Sequence, residues 1–243
     1  MTNQKTDHHD QVRQLFDLKA PTWSAKYAAG GRLTRRLLLF SAALSAHVPM
    51  GGRVLDLGCG TGELARAAAG ARLETTACDI SAAMLHLANH YDVDQLVQWI
   101  QLESGWNSLP FEDATFDAVV AASVMEYVAD PVQILQQCAR VLRSGGVLLC
   151  TVPNMAHPIR WIESVVSMAT RIPVVHRAGF RNARARGYIT YLSISQQRHR
   201  MRWWHTAAEQ AGLLPFTLAV GVPLHAPLRL LGFTRNCISE DAP

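Results

Sequence analysis

The chain has 243 residues, 49% of them apolar and 17% charged, with a formal net charge of +4, so it can bury a substantial core. No apolar stretch approaches the roughly 18 residues of a membrane span, and the polar opening MTNQKTDHHDQ has no signal-peptide apolar region, so a cytoplasmic protein is expected. The five cysteines stand singly without CxxC spacing, which argues against a zinc site, a thioredoxin-like motif or a disulfide framework, and no metal is expected.

Residues 11 to 47 are predicted helical, with a break at Pro21 and an end at Pro49, Gly51 and Gly52. From there strands and helices alternate, the pattern of a mainly parallel, doubly wound sheet. RVLDLGC is a buried strand, ELARAAAG a helix and LETTACDI a second strand. SAAMLHLANHY follows as a helix with Ser81 as its N-cap. LVQWIQLE is a third strand, SGWNSLPFEDATF a loop and DAVVAASV a fourth strand. A helix is predicted from Pro131 to Leu142, then the turn RSGG and a fifth strand VLLCTVPN.

The regularity stops at Asn154. IRWIESVVSMATRI reads as an amphipathic helix, and an Arg-rich stretch and the run GYITYLSIS follow before WWHTAAEQAG resumes as helix and LLPFTLAVGV as strand. Residues 155–200 therefore read as a lid inserted after strand five, in a single domain with a helical cap (1–50), a core (51–154) and a C-terminal helix and strands (201–243). Between Arg160 and Arg202 nine arginines face one acid, Glu163, so the positive charge is concentrated in this insert.

In RVLDLGCGTG the first strand runs into Gly58, Gly60 and Gly62, where missing Cβ atoms permit positive φ and a close ligand approach. The spacing is neither GxGxxG nor a Walker loop, and a tight strand-to-helix turn would explain the glycines equally well. Asp79 changes the balance. It ends the second strand about twenty residues on, where a carboxylate can accept hydrogen bonds from both ribose hydroxyls of a nucleoside.

VLDLGCGTG, DIS followed by Met84, LPF at 109–111, FDAVVAASVMEYVADP and RVLRSGGVLLCTVPN resemble, in order, the motifs of class I S-adenosylmethionine-dependent methyltransferases. The similarity is greatest to the ubiquinone and menaquinone biosynthesis branch, and it covers residues 50–154 well. It implies a Rossmann-like seven-stranded sheet of order 3-2-1-4-5-7-6 with the last strand antiparallel, and S-adenosyl-L-methionine as cofactor. By the same resemblance Asp56 reaches toward the methionine amino group, Gly58 and Gly60 line its path, and Asp79 holds the ribose. Ile80 and Met84 pack on adenine, and Ser123 faces the sulfonium. Where the family often places an adenine-binding carboxylate, this chain has Gly105, so Trp106, Glu103 and Asn107 are the candidates there.

Trp23 and Tyr27, at i, i+4 spacing, close over the cofactor on this reading, with Arg32 or Arg36 pairing its carboxylate. Core packing and surface solvation are the plainer alternatives. Methyl transfer from a sulfonium depends mainly on alignment; a general base adds something for an alcohol or phenol. The candidates are Glu126, Tyr127, His157 and, on the insert, His199. Many relatives have His where Tyr127 stands, and a phenol is a poorer base than imidazole at neutral pH. Tyr127 is thus assigned to orienting the substrate, and His157 is the predicted base.

A small, hydrophobic or aromatic acceptor methylated on oxygen is expected, with N-methylation of a small molecule or lipid headgroup as the alternative. Arginines beside aromatic residues also suit an anionic membrane surface or nucleic acid. Nucleic acid is disfavoured because ASVMEY lacks the [DNS]PP[YF] signature of base-amine methyltransferases. A noncatalytic nucleotide-binding protein is the reading outside enzymes. The sequence leaves the oligomeric state open.

Overall fold

The computed structural model describes residues 2–28, 31, 33–169, 183–195, 197–218 and 226–236. Short apolar runs between turn residues become seven strands: β1 Arg53–Leu57, β2 Glu74–Asp79, β3 Val97–Gln101, β4 Phe116–Ala121, β5 Leu142–Pro153, β6 Leu213–Phe216 and β7 Leu228–Arg235. They form one sheet of order β3-β2-β1-β4-β5-β7-β6. The first five are parallel, and β7 runs antiparallel to both neighbours, β5 and β6. This is the order implied by the motif resemblance. Chain direction across the sheet reverses between β1 and β4, which opens a crevice at their carboxyl ends where such sheets bind ligands.

Among the described residues the helices are α1 Thr2–Lys19, α2 Thr34–His47, α3 Glu63–Gly70, α4 Ala82–Tyr91, α5 Pro131–Val141, α6 Pro158–Ala169, α7 Ala183–Ile194 and α8 Met201–Gln210. Two 3-10 turns, Ala20–Thr22 and Ser24–Tyr27, link α1 toward α2. Strand side chains alternate between two cores, so the central strands are apolar on both sides. Leu55, Leu57, Val119 and Ala121 face α5 and the Trp204 of α8. Val54, Ala118 and Val120 face Phe40 and Leu44 of α2 and Leu64 and Ala68 of α3.

Local signals set the helix ends. Ser81 Oγ accepts from Met84 N at the start of α4, and Asp130 accepts from Gln133 N before Pro131 opens α5. On α5, Ile134, Leu135, Cys138 and Ala139 form the buried stripe expected of an amphipathic helix. Truncating the buried Trp204 that packs in this layer to Ala would cost about 3–5 kcal/mol.

Four details depart from the sequence expectations or fill a gap in them. The first helix begins at Thr2, well before residue 11, because the polar opening segment packs its later turns as a cap. RSGG lies inside β5, whose pairing with β4 shifts register between Phe116 and Ala118. GYITYLSIS, rich in β-branched and aromatic residues, is helical in α7, where tertiary packing of Leu192 and Ile194 outweighs local propensity. Strand β6 stops at Phe216 and forms the sheet edge, paired to the longer β7, built from LRLLGFTR.

Candidate functional site

A cavity of about 830 Å³ occupies the crevice at the carboxyl ends of β1, β2 and β4 and is roofed by α1, the 3-10 turns, α2 and α7. β1 delivers Asp56 to its floor and then turns sharply. Gly58 and Gly60 both have positive φ, at 70° and 57°. A Cβ on Gly58 would stand 2.4 Å from a Val124 methyl, and one on Gly60 would crowd the Trp23 indole nitrogen at 3.3 Å. The bare loop is therefore a cradle that side chains would fill. Gly58 N and Cys59 N both donate to Cys78 O, which fastens the loop to the end of β2.

Asp79 completes the cradle. Its Oδ2 accepts from Gly60 N at 2.8 Å and its Oδ1 from Ser81 N at 2.9 Å. Each carboxylate oxygen has a second lone pair to offer, which suits two vicinal hydroxyls. Burial raises its pKa, opposed by these backbone N–H groups. Asp56 is different: its Oδ2 has no hydrogen-bond partner although the side chain is buried. Burial, reinforced by the Asp79 charge and opposed by Arg36, pushes its pKa up to about 7. A buried carboxylate with an orphaned oxygen on a cavity floor is a receptor for a cation with N–H donors.

Arg36 of α2 reaches over this floor and donates to Ser123 Oγ and to the Tyr27 hydroxyl. Ser123 has φ of 63° at the turn after β4, and its N–H donates to Thr151 Oγ1 at 2.7 Å. Lys26 lies 3.3 Å above the Trp23 ring, so the two residues form a cover over Gly60. Ile80, Leu102 and Trp106 form an apolar flank beside Asp79. The donor set fits S-adenosylmethionine: an orphaned acidic oxygen for its ammonium, an arginine for its carboxylate, a doubly anchored aspartate for its ribose and an apolar slot for its adenine.

The roof is tied down by the polar residues of α1. His8 Nε2 donates to Tyr127 O at 2.8 Å, His9 Nδ1 accepts from Gly105 N at 2.9 Å, and Ser81 Oγ donates to Asp17 Oδ1. The insert is pinned by a buried pair. Arg160 Nη1 donates to Glu163 Oε2 at 2.8 Å, and its Nη2 donates to Pro227 O at 2.8 Å.

Of the residues singled out in the sequence, the cavity is lined by Tyr27, Asp56, Gly58, Gly60, Asp79, Ile80, Trp106, Ser123 and Tyr127, together with Trp23, Arg36 and Glu126. Three site assignments fall elsewhere. Gly62 caps α3 at φ of 79°, and a Cβ there would meet the Trp99 ring at 2.4 Å, so its role is to let β3 pack against the turn. Met84 is wholly buried beneath the turn and does not line the cavity. His157 is corrected as the base: its Nδ1 accepts from Ile159 N at 3.1 Å, so it caps α6 outside the cavity. His199 stacks on Trp203 with centroids 3.7 Å apart and is likewise a packing residue. Glu103 and Asn107 do not line the cavity, and Arg32 lies outside the described residues, as does the arginine-rich stretch from 170 to 182. The sequence reading missed Lys19, Tyr188 and Tyr191, which also face the cavity. The i, i+3 spacing of the two tyrosines was the available signal, once α7 is known to be a helix.

Residues 55–150 match the family model described as a methyltransferase domain. A ubiquinone biosynthesis O-methyltransferase of Xanthomonas axonopodis pv. citri is 35% identical over 120 residues, which are 49% of this chain and 49% of that protein. The chain thus spans about half the length of the curated relatives it matches. Magnesium protoporphyrin IX methyltransferase from Synechocystis, solved with bound SAH, is 16% identical with a TM-score of 0.67, covering 93% of this chain and 98% of its own. A SAM-dependent methyltransferase from Thermotoga maritima is 15% identical with a TM-score of 0.62, covering 92% and 99%. At these identities the two structures speak to the fold alone. The sheet order and the glycine cradle agree with that match, so residues 55–150 carry the methyltransferase domain that the family model describes.

Proposed function

We propose that the chain transfers a methyl group from S-adenosylmethionine to the hydroxyl of a small, apolar or aromatic acceptor. The observation that carries the reading is the shape of the cavity. A crevice with the donor set for the cofactor opens, past Ser123, into a chamber bounded by Phe16, Tyr127, Tyr188 and Tyr191. One cavity of about 830 Å³ is therefore lined by both sets of residues. Oxygen is favoured over nitrogen because the similar curated proteins are named as O-methyltransferases.

When bound, the cofactor supplies a methyl carried on a positive sulfonium. The chain's own residues supply position. Asp79 holds the ribose hydroxyls, Asp56 and Arg36 take the ammonium and carboxylate, and Ile80, Leu102 and Trp106 enclose the adenine. Trp23 and Tyr27 exclude water from above. Such alignment contributes up to about 7–11 kcal/mol to the barrier reduction, more than a proton acceptor supplies. Tyr127 orients the acceptor: burial drives its pKa well above that of a free phenol, so it stays a neutral hydroxyl.

Calorimetric titration with S-adenosylmethionine and with S-adenosylhomocysteine tests the cofactor end. Transfer of a radiolabelled methyl group into phenols, amines and a lipid extract tests the acceptor end. Absence of binding by either cofactor form at millimolar concentration would refute the reading.

An anionic membrane surface is a second expectation with its own observation. α6 buries Arg160 and Glu163 on one side and leaves Trp161 at 73% and Met168 at 67% exposure, with Ile162 and Val165 beside them. An apolar stripe within a basic insert is the arrangement of an interfacial helix. No described helix is long and apolar enough to cross a membrane. Co-sedimentation with phosphatidylglycerol vesicles, lost in Trp161→Glu and absent with phosphatidylcholine, is the expected result.

A further inference from the structure

The acceptor chamber contains one carboxylate that the cofactor end does not use. Among the described residues three acids line the cavity: Asp56, Asp79 and Glu126. Asp56 and Asp79 belong to the glycine cradle. Glu126 follows β4, on the far side of Ser123, and is 5% exposed. Its Oε2 accepts from the Tyr191 hydroxyl of α7 at 3.3 Å. That hydroxyl lies 3.5 Å from Arg160 Nη1, whose own carboxylate partner is Glu163. A carboxylate, a tyrosine hydroxyl and an arginine thus join the cavity wall to the insert.

Other proton acceptors are disqualified by position. His157 caps α6 and His199 stacks on Trp203. His9 lines the cavity, but its Nδ1 already accepts from Gly105 N. Tyr127 and Tyr191 are both pushed up in pKa by burial and by the Glu126 charge, so neither is a base near neutral pH. Lys19, on the same chamber wall, is lowered by burial and raised by the Glu126 charge.

We propose that Glu126 is the proton acceptor for the hydroxyl that is methylated, and that Tyr191 is its positioning residue. This rests on the reading of the chain as an O-methyltransferase and deepens it. In the step, the acceptor O–H bond breaks and its proton passes to a Glu126 carboxylate oxygen. The acceptor oxygen forms the new bond to the methyl carbon with its freed electron pair. The C–S pair leaves with sulfur, giving a neutral thioether, and Glu126 later returns its proton to water. Burial raises the pKa of Glu126, while Arg160 and the hydroxyls of Tyr191 and Tyr127 hold it down and Glu163 raises it. A carboxylate placed between such opposing influences is a better base than a fully solvated one.

The test uses the whole chain with S-adenosylhomocysteine bound and 4-nitrophenol as a chromophoric probe. In the unaltered protein the probe is expected to bind as the neutral phenol, donating to Glu126. In Glu126→Gln, with the carboxylate gone, its ionisation should move down by about one pH unit or more. With radiolabelled cofactor and a panel of phenols, Glu126→Gln should lower turnover by about 10²- to 10⁴-fold. Glu126→Asp should retain part of that rate. Tyr191→Phe keeps the ring but removes a donor to the carboxylate, so the acid limb of its pH–rate profile should move to higher pH, which a packing role would not cause.

Unchanged probe ionisation and turnover in Glu126→Gln would overturn the proposal. So would loss of cofactor affinity in that variant, because Glu126 would then be serving the cradle or the fold. A protein that binds cofactor but neither binds the probe nor methylates any phenol overturns it too, while leaving the cofactor site standing. Failure to bind cofactor at all would instead sink the broader reading.

Discussion

The two ends of the cavity are built in opposite ways. The glycine cradle at the cofactor end is made from consecutive residues of two neighbouring strands and their turns, β1 with Gly58 and Gly60 and β2 with Asp79, joined through backbone N–H groups. The acceptor end gathers Lys19 from α1, Glu126 and Tyr127 from the turn after β4, and Tyr188 and Tyr191 from α7, with Glu126 and Tyr191 joined through their side chains. A backbone-built site tolerates little change in sequence, whereas a side-chain-built one can be altered piece by piece. One chain can therefore hold a constant cofactor and a changeable acceptor.

The sharpest way to break that contrast is at the buried pair of the insert. Arg160 and Glu163 are 4% and 3% exposed, so Arg160→Met should leave Glu163 with only the more distant Arg198, at 4.0 Å, and cost about 3 kcal/mol, read as a fall in melting temperature. Cofactor affinity measured below that temperature should change little if the two ends are independent.

Asp79→Ala comes next and acts at the other end. It removes the partner of Gly60 N and Ser81 N as well as the ribose contacts, so the cofactor Kd should rise by at least about a hundredfold in calorimetry.

Asp56→Asn should have a smaller effect with a distinctive pH signature. The folded protein holds a proton on Asp56 up to about 7 that the unfolded chain loses near 4. Stability from this group is therefore highest at acid pH and falls as pH rises through that window. The Asn variant should lose that slope in denaturation measurements from pH 4 to 8. Its cofactor affinity, which in the parent should strengthen as pH rises past about 7, should be flat and about tenfold weaker at pH 8.

The smallest effect is expected for His157→Gln, which changes a partly exposed cap of α6. Turnover and cofactor affinity should stay within about twofold, and stability within about 0.5 kcal/mol. A large loss of turnover would restore His157 as the base.

Legibility in the sequence followed the same division. The Ala-rich helix ELARAAAG is α3 as read, the N-cap at Ser81 is formed, and Asp79 faces the cavity at the distance its spacing implied. The resemblance places Met84, and the glycine spacing places Gly62, at the ligand, but which way the first turns of α3 and α4 face depends on how those helices pack. Met84 went to the core and Gly62 to Trp99. His157 was favoured for its chemistry, and its place in a helix-capping turn cannot be seen without knowing where α6 begins.

The alternation of strands and helices, the glycine bend and the carboxylate across from it were legible in the chain itself, because strand periodicity, turn chemistry and the spacing between successive strands are local in sequence, whereas the sheet order came only from the motif resemblance. Only the tertiary structure decided which acids are orphaned, which histidines are spent on caps and stacking, and which tyrosines meet Glu126. Those properties depend on residues brought together across separations such as the 65 positions between Glu126 and Tyr191, and burial, which sets their protonation, is a property of the packed molecule.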